Sequence, residues 1–250
     1  MSALFVEPWH VEEVSECHFY HTMELPGLGV IPGHVDLRPN ATAYLGNVAL
    51  NGRRVLEFGP ASGFLSFYME NAGAREVVGL EVSEAVVWNL VPQPDLNQTA
   101  IRQDRREHMR KIKCGFWLAH RLLGSSTRMV YGNATHPPAE LGRFDLAVLG
   151  GVLLHCRDPL QVLQVCADSV DEAIVITEQE ILSFADADRR PLQWLAPSRE
   201  NQIWDVWWRF TPGLFVQALP LYGFPNVTIS RHDQLSLGKA YTHFTVVGRR

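Results

Sequence analysis

Short apolar runs alternate with longer stretches at helical spacing through most of the chain. Val55, Leu56 and Phe58 form the first run, in a strand read over Arg53–Phe58. Phe64, Leu65, Phe67, Tyr68 and Met69 then follow at helical spacing, which predicts a helix over Ser62–Ala72 ending near Gly73. The same reading gives strands over Glu76–Val82, Thr127–Tyr131, Phe144–Gly150 and Ala173–Thr177, and helices over Thr99–Leu123 and Leu160–Val170. Asp158 and Pro159 suit the N-cap and first turn of the last of these. Alternating strands and helices predict an α/β chain with a mostly parallel, doubly wound sheet. Thr211-Pro212 opens a final helix to Tyr222. Strands over Phe224–Ser230 and Tyr241–Val247 then predict a closing hairpin with a reversed final strand, making seven strands in all.

Two regions stand outside this rhythm. Residues 1–50 are rich in His, Pro and Gly, with a short helix conceivable over Pro8–Cys17 and turn signals at Pro26-Gly27 and Pro32-Gly33. This segment reads either as a strap over the sheet or as a lid that brings acceptor-side groups to a site, with His21, His34, Asp36 and Arg38 as candidates. The main domain then spans 51–250, with insertions at 86–124 and 178–210. The second insertion holds Trp194, Trp204, Trp207 and Trp208. These are either a satellite apolar cluster or an aromatic wall around a pocket; Trp204, Trp207 and Trp208 are the acceptor-side candidates among them.

Composition narrows the function. The 250 residues carry a formal net charge of -5, and no Lys/Arg cluster is dense enough for nucleic-acid binding as the main task. Cys17, Cys114, Cys156 and Cys166 have no C-x-x-C spacing, so reduced thiols in a cytoplasmic protein are expected. No apolar run is long enough to span a membrane, and no signal peptide is visible. No His/Cys/Asp cluster has metal-ligand spacing, so no metal is expected.

The candidate chemistry centres on Glu57-Phe58-Gly59-Pro60-Ala61-Ser62-Gly63, a strand, a tight turn and a helix start. Such a unit lets a ligand approach bare backbone at the mouth of a sheet. The dinucleotide fingerprint G-x-G-x-x-G is not met, because Ala61 and Phe64 occupy two of its glycine positions. Glu57 beside the turn suits an ammonium group or a sugar hydroxyl better than a pyrophosphate. Glu81 closes the next strand about twenty residues on, where a carboxylate accepts hydrogen bonds from the two hydroxyls of a ribose. Asn133 follows the third strand, placed for an adenine amine or simply for a turn. Gly150 ends the fourth strand, whose carboxyl end faces the ligand crevice. His155, just beyond, is either a general base or a structural histidine of that turn; His34 is the second candidate base.

Three stretches extend this reading by resemblance. VLEFGPASGFLSFYMENAGA, LGGVLLHCRDPLQVL and WWRFTPGLFVQALPLYGF are similar to segments of class I S-adenosylmethionine (SAM)-dependent methyltransferases, in the branch of the tRNA uridine-34 carboxymethyltransferases. The resemblance covers about residue 50 to the end. It implies a Rossmann-like sheet with helices on both faces, and SAM as cofactor. Glu57, Gly59, Ala61 and Gly63 would hold its methionine part, Glu81 its ribose and Asn133 its adenine. This chain departs from that branch at Leu154, where the branch has Tyr, and in its N-terminal region. The expectation is methyl transfer to an oxygen or nitrogen of a small or medium-sized metabolite, without nucleic acid or membrane. The alternatives are methyl or carboxymethyl transfer to a tRNA wobble uridine, a NAD(P)-dependent oxidoreductase, and an inactive methyltransferase-like binding protein.

Overall fold

The computed structural model describes residues 4–83, 89–181 and 184–250. Its central sheet has eight strands rather than the seven expected. In chain order they are β3 (Val35–Asp36), β4 (Arg54–Phe58), β5 (Glu76–Val82), β6 (Arg128–Gly132), β7 (Phe144–Gly150), β8 (Val170–Gln179), β11 (Asn226–Ser236) and β12 (Lys239–Arg249). They lie in the spatial order β3-β11-β12-β8-β7-β4-β5-β6. Strands β4 to β8 pair in parallel, and β12 runs antiparallel to both β8 and β11. The reversed strand is therefore present. The eighth strand is the two-residue β3, which pairs antiparallel with the far end of β11. Two small hairpins lie outside this sheet, β1 (Met23–Leu25) with β2 (Gly29–Ile31) and β9 (Gln193–Leu195) with β10 (Trp208–Phe210). Both fall in segments read as loop, because three-residue strands show too few alternations to be recognised.

Among the described residues five α-helices cover the sheet: α1 (Ala41–Tyr44), α2 (Phe64–Asn71), α3 (Gln98–Leu123), α4 (Pro159–Asp168) and α5 (Pro212–Leu221). Strand alternation decides which helix meets which face. Leu56 and Phe58 of β4 point to one side, into a core with Val162, Leu163 and Cys166 of α4 and Phe215 and Leu219 of α5. Val55 points to the other side, with Leu65 and Met69 of α2 and Tyr44 of α1. The buried half of α3, Cys114 to Ala119, packs with Phe67, Val11, Phe19 and Met23 in a third cluster. The N-terminal segment thus supplies both a strand of the sheet and part of the core. Pro8–Cys17 holds only a three-residue 3₁₀ turn, Val14–Glu16.

The helix ends follow their chemistry. Asp158 accepts the Gln161 N–H at 3.0 Å with Pro159 behind it, and Gly124 closes α3 in the left-handed conformation. Thr211 stands at the N-cap position of α5, but its hydroxyl bonds Arg190 and Leu192 instead, tying the β9 approach to the helix start. Residues 84–88, where the 86–124 insertion begins, and 182–183 in the 178–210 insertion lie outside the described residues.

Phe215 is fully buried between Phe210 and Phe244, with ring centroids 5.3 and 6.2 Å away. Phe215→Ala should cost about 3–5 kcal/mol of stability through lost burial and an unfilled cavity. Urea denaturation of parent and variant measures it.

Candidate functional site

The carboxyl ends of β4 to β8 open into one cavity of about 500 Å³. Its floor is the turn between β4 and α2. Gly59, Ala61 and Gly63 all have positive φ, at 66°, 51° and 92°. A Cβ on Gly63 would meet Phe116 and Phe67 at 2.6 Å, so the glycine there serves close packing of the turn on α3, and Gly63 does not border the cavity. Ala61 holds its left-handed conformation with a specific partner: its N–H donates to Glu81 Oε2 at 3.1 Å. Glu81 Oε1 accepts from the Val82 N–H at 2.8 Å. The carboxylate of Glu81 is buried, borders the cavity, and has its pKa raised by burial, with Lys113 acting in the opposite direction.

Glu57 does not join it. Residue parity in β4 turns its side chain to the α2 face, where it accepts from Ser66 Oγ, and it does not border the cavity. Burial pushes its carboxyl up to about 8, against the Ser66 bond and with a smaller contribution from Glu81.

The opposite flank of the cavity is glycine again. Gly150 ends β7 and Gly151 follows it at φ 62°, and a Cβ on Gly150 would fall 2.8 Å from the Tyr44 ring. Asn133 also borders the cavity, beyond β6. Its Oδ1 accepts from both the N–H and the Oγ1–H of Thr135 at 2.9 Å, so the carboxamide oxygen is engaged in a local turn.

Polar side chains dominate the remaining wall. His155, on the 3₁₀ turn Leu153–His155, gives its Nδ1–H to the Asp205 carbonyl at 2.5 Å, and burial lowers its pKa. Asp205 in turn pairs with Arg105 of α3 at 3.1 Å. His34 stacks on Tyr20 with centroids 5.7 Å apart, and both line the cavity. His21 lines it as well, with its backbone N–H on Ser62 Oγ at 3.0 Å and its ring pushed down to about 4 by burial. Of the tryptophans, Trp208 borders the cavity and donates to the Arg157 carbonyl at 3.2 Å. Trp204 packs under Arg105, and Trp207 donates to the Asn89 carbonyl; neither borders the cavity. Asp36 and Arg38 also lie outside it, paired with each other at 2.7 Å at the sheet edge.

Glu178, Arg209, Arg105, Tyr20 and Tyr44 line the cavity without having been singled out in the sequence. Glu178 was within reach of the reasoning that drew attention to Gly150, since it too ends a parallel strand on the ligand side. Arg105 and Tyr20 lie on elements that reach the cavity only through tertiary packing, so no local pattern marks them.

This arrangement of sheet, turn and crevice is the Rossmann-like fold of the class I methyltransferases. The N-terminal domain of EvdMO1, crystallised with S-adenosylhomocysteine (SAH) and D-fucose, superimposes with a TM-score of 0.56 at 21% identity, over 92% of this chain and 91% of that one. The 1,6-didemethyltoxoflavin-N1-methyltransferase of Burkholderia thailandensis, bound to 1,6-didemethyltoxoflavin and SAH, gives 0.51 at 18% identity, over 86% and 77%. In sequence, 82 residues are 32% identical to the ribosomal protein L11 methyltransferase of Deinococcus radiodurans, a match spanning 33% of this chain and 30% of that protein. No protein-family profile matches the chain.

Glu57 sets a pH dependence. A folded-state pKa of about 8 against an ordinary 4.5 means the folded protein holds more protons between these values, so stability falls as pH rises through that window. Buried histidines such as His21 act in the opposite sense below about 6.5, so between pH 6.5 and 8 the decline is shared by Glu57 and Glu178, whose carboxyl burial also pushes up to about 8. Glu57→Gln should flatten the decline there, measured as unfolding free energy in urea at stepped pH.

Proposed function

We propose that the chain is a SAM-dependent methyltransferase acting on an oxygen or nitrogen atom of a small molecule. The observation that carries this reading is the buried Glu81 carboxylate, fixed beside the open β4–α2 turn at the mouth of a parallel sheet. A carboxylate there accepts from the two hydroxyls of a ribose, and the turn offers backbone rather than side chains to the rest of the ligand. SAM, when bound, supplies a methyl group already activated on a sulfonium.

The chain's own part is positioning and exclusion of water. Gly59 and Ala61 border the methionine end, and Gly150 and Gly151 the opposite flank. Asn133 sits toward adenine, its oxygen engaged by Thr135, so the backbone beside it is the better adenine contact. Glu57 supports the turn from beneath through Ser66 on α2. His155 and His34 face the acceptor side, with His21 and Trp208. The neighbours of similar fold support a small acceptor, since those described above were crystallised with D-fucose and with 1,6-didemethyltoxoflavin. Ordinary SAM suits the cavity better than its carboxylated form, because Arg105 and Arg209 already face Asp205 and Glu178. Among the described residues no helix is long and apolar enough to cross a membrane, and no group of His, Cys, Asp and Glu could hold a metal ion.

Isothermal titration with SAH tests the cofactor. Glu81→Ala should bind it at least tenfold more weakly, by the loss of charge-assisted hydrogen bonds worth about 1.5–3 kcal/mol. Unchanged affinity in a folded variant overturns the placement.

A further inference from the structure

One buried acid of the cavity has no role in the reading above. Glu178 lies one residue from the end of β8, beside Gly150 and Gly151: Thr177 pairs with Gly150, and the Thr177 carbonyl accepts the Gly151 N–H at 2.8 Å. The side chain is 4% exposed and borders the cavity. The backbone of Leu154 and Leu153, in the turn that carries His155, acts to lower its pKa, and Oε1 has no hydrogen-bond partner among the described residues. A buried acceptor without a donor costs about 1–3 kcal/mol, so this atom calls for a donor from a ligand.

The charges around it limit that ligand. Two guanidiniums, Arg105 and Arg209, stand against two carboxyl groups, Asp205 and Glu178. With Asp158 also on the wall, it has no surplus cation for a phosphate or carboxylate. Tyr20 and Tyr44 add hydroxyls, and Trp208 adds a flat indole, a combination suited to a ring with polar edges and C–H faces.

Resting on the methyltransferase reading, we propose that Glu178 is the catalytic base for a neutral, polyhydroxylated acceptor of saccharide type. One acceptor hydroxyl donates to Oε1. As its oxygen forms a bond to the methyl carbon, the carbon–sulfur bond breaks with its electron pair passing to sulfur, and the hydroxyl proton moves to Oε1. The carboxyl is pushed up to about 8 by burial, with Arg209 opposing, which gives a base matched to a hydroxyl near neutral pH. Tyr20, Tyr44 and Cys156 also face it, and each has its own pKa raised in part by the Glu178 charge.

The test separates binding from transfer. The SAH-saturated protein is titrated with D-fucose, L-rhamnose, D-glucose and D-galactose, followed by saturation-transfer NMR and calorimetry. Transfer is then measured with methyl-labelled SAM. At least one sugar is expected to bind saturably and be methylated on oxygen. Glu178→Gln should keep SAH and sugar binding within about threefold and lower transfer at least 100-fold. Glu178→Asp should recover part of the transfer. The proposal is overturned if no sugar binds the SAH complex, or if the Gln variant transfers within threefold of the parent. A parent protein that fails to bind SAH at all overturns the cofactor reading itself, and the proposal with it.

Discussion

The hydrogen bond from the Ala61 N–H to Glu81 is the constraint on which the crevice depends. Ala61 sits at φ 51°, a left-handed conformation that costs an L-residue about 1–2 kcal/mol. A hydrogen bond contributes about 0.5–1.5 kcal/mol, which offsets much of that cost. The same bond joins the ends of two adjacent strands, β4 through its turn and β5 through its last acid. Loosening it would release both the backbone floor and the carboxylate orientation together.

Around that floor, depth and residue parity sort the acids by task. Glu57 and Glu81 end neighbouring strands, but one turns under the helix and the other faces the crevice. Glu178, three strands away in chain order, faces the same crevice beneath the turn of His155. Burial raises the pKa of all three, for the same physical reason: water is excluded where the parallel strands end. The site therefore concentrates desolvated carboxyl groups at one end of the sheet, Glu57 held by a hydroxyl donor and Glu81 by backbone donors rather than by a direct ion pair.

Most of the parallel sheet was legible because its strands are long apolar runs separated by helical spacing. Glu81 was legible because its distance from the glycine turn has a chemical meaning. Glu57 was harder, since a motif gives the residue type but not the face to which parity turns it. Asp36 and Arg38 illustrate another limit: nothing in HVDLRP says that the two charges satisfy each other at a sheet edge. The tryptophans divided on tertiary grounds alone. Trp208 reaches the cavity because β10 pairs with β9 and Trp207 N–H bonds Leu154, whereas its neighbours turn toward Arg105 and Asn89. Arg105 lies on the charged half of α3, and only the tertiary packing that brings Asp205 against it puts it on the cavity wall.

The edge strand β3 has a consequence for how the molecule is made. It pairs with β11, and Asn40 beside it donates to the Asp233 carbonyl 193 residues away in sequence, at 2.8 Å. The segment that leads into β3 contributes Tyr20, His21 and His34 to the cavity wall. During synthesis these residues leave the ribosome well ahead of their sheet partner, as the 193-residue separation of Asn40 and Asp233 shows. The parallel strands β4 to β8 can assemble first and hold the earlier segment through α3 and Ser62, while β3 stays unpaired until the β11–β12 hairpin docks. Closing so long a loop is slow but adds little to the equilibrium cost, since loop entropy grows only logarithmically with length. The crevice is thus completed last, by the two extremes of the fold meeting at one edge.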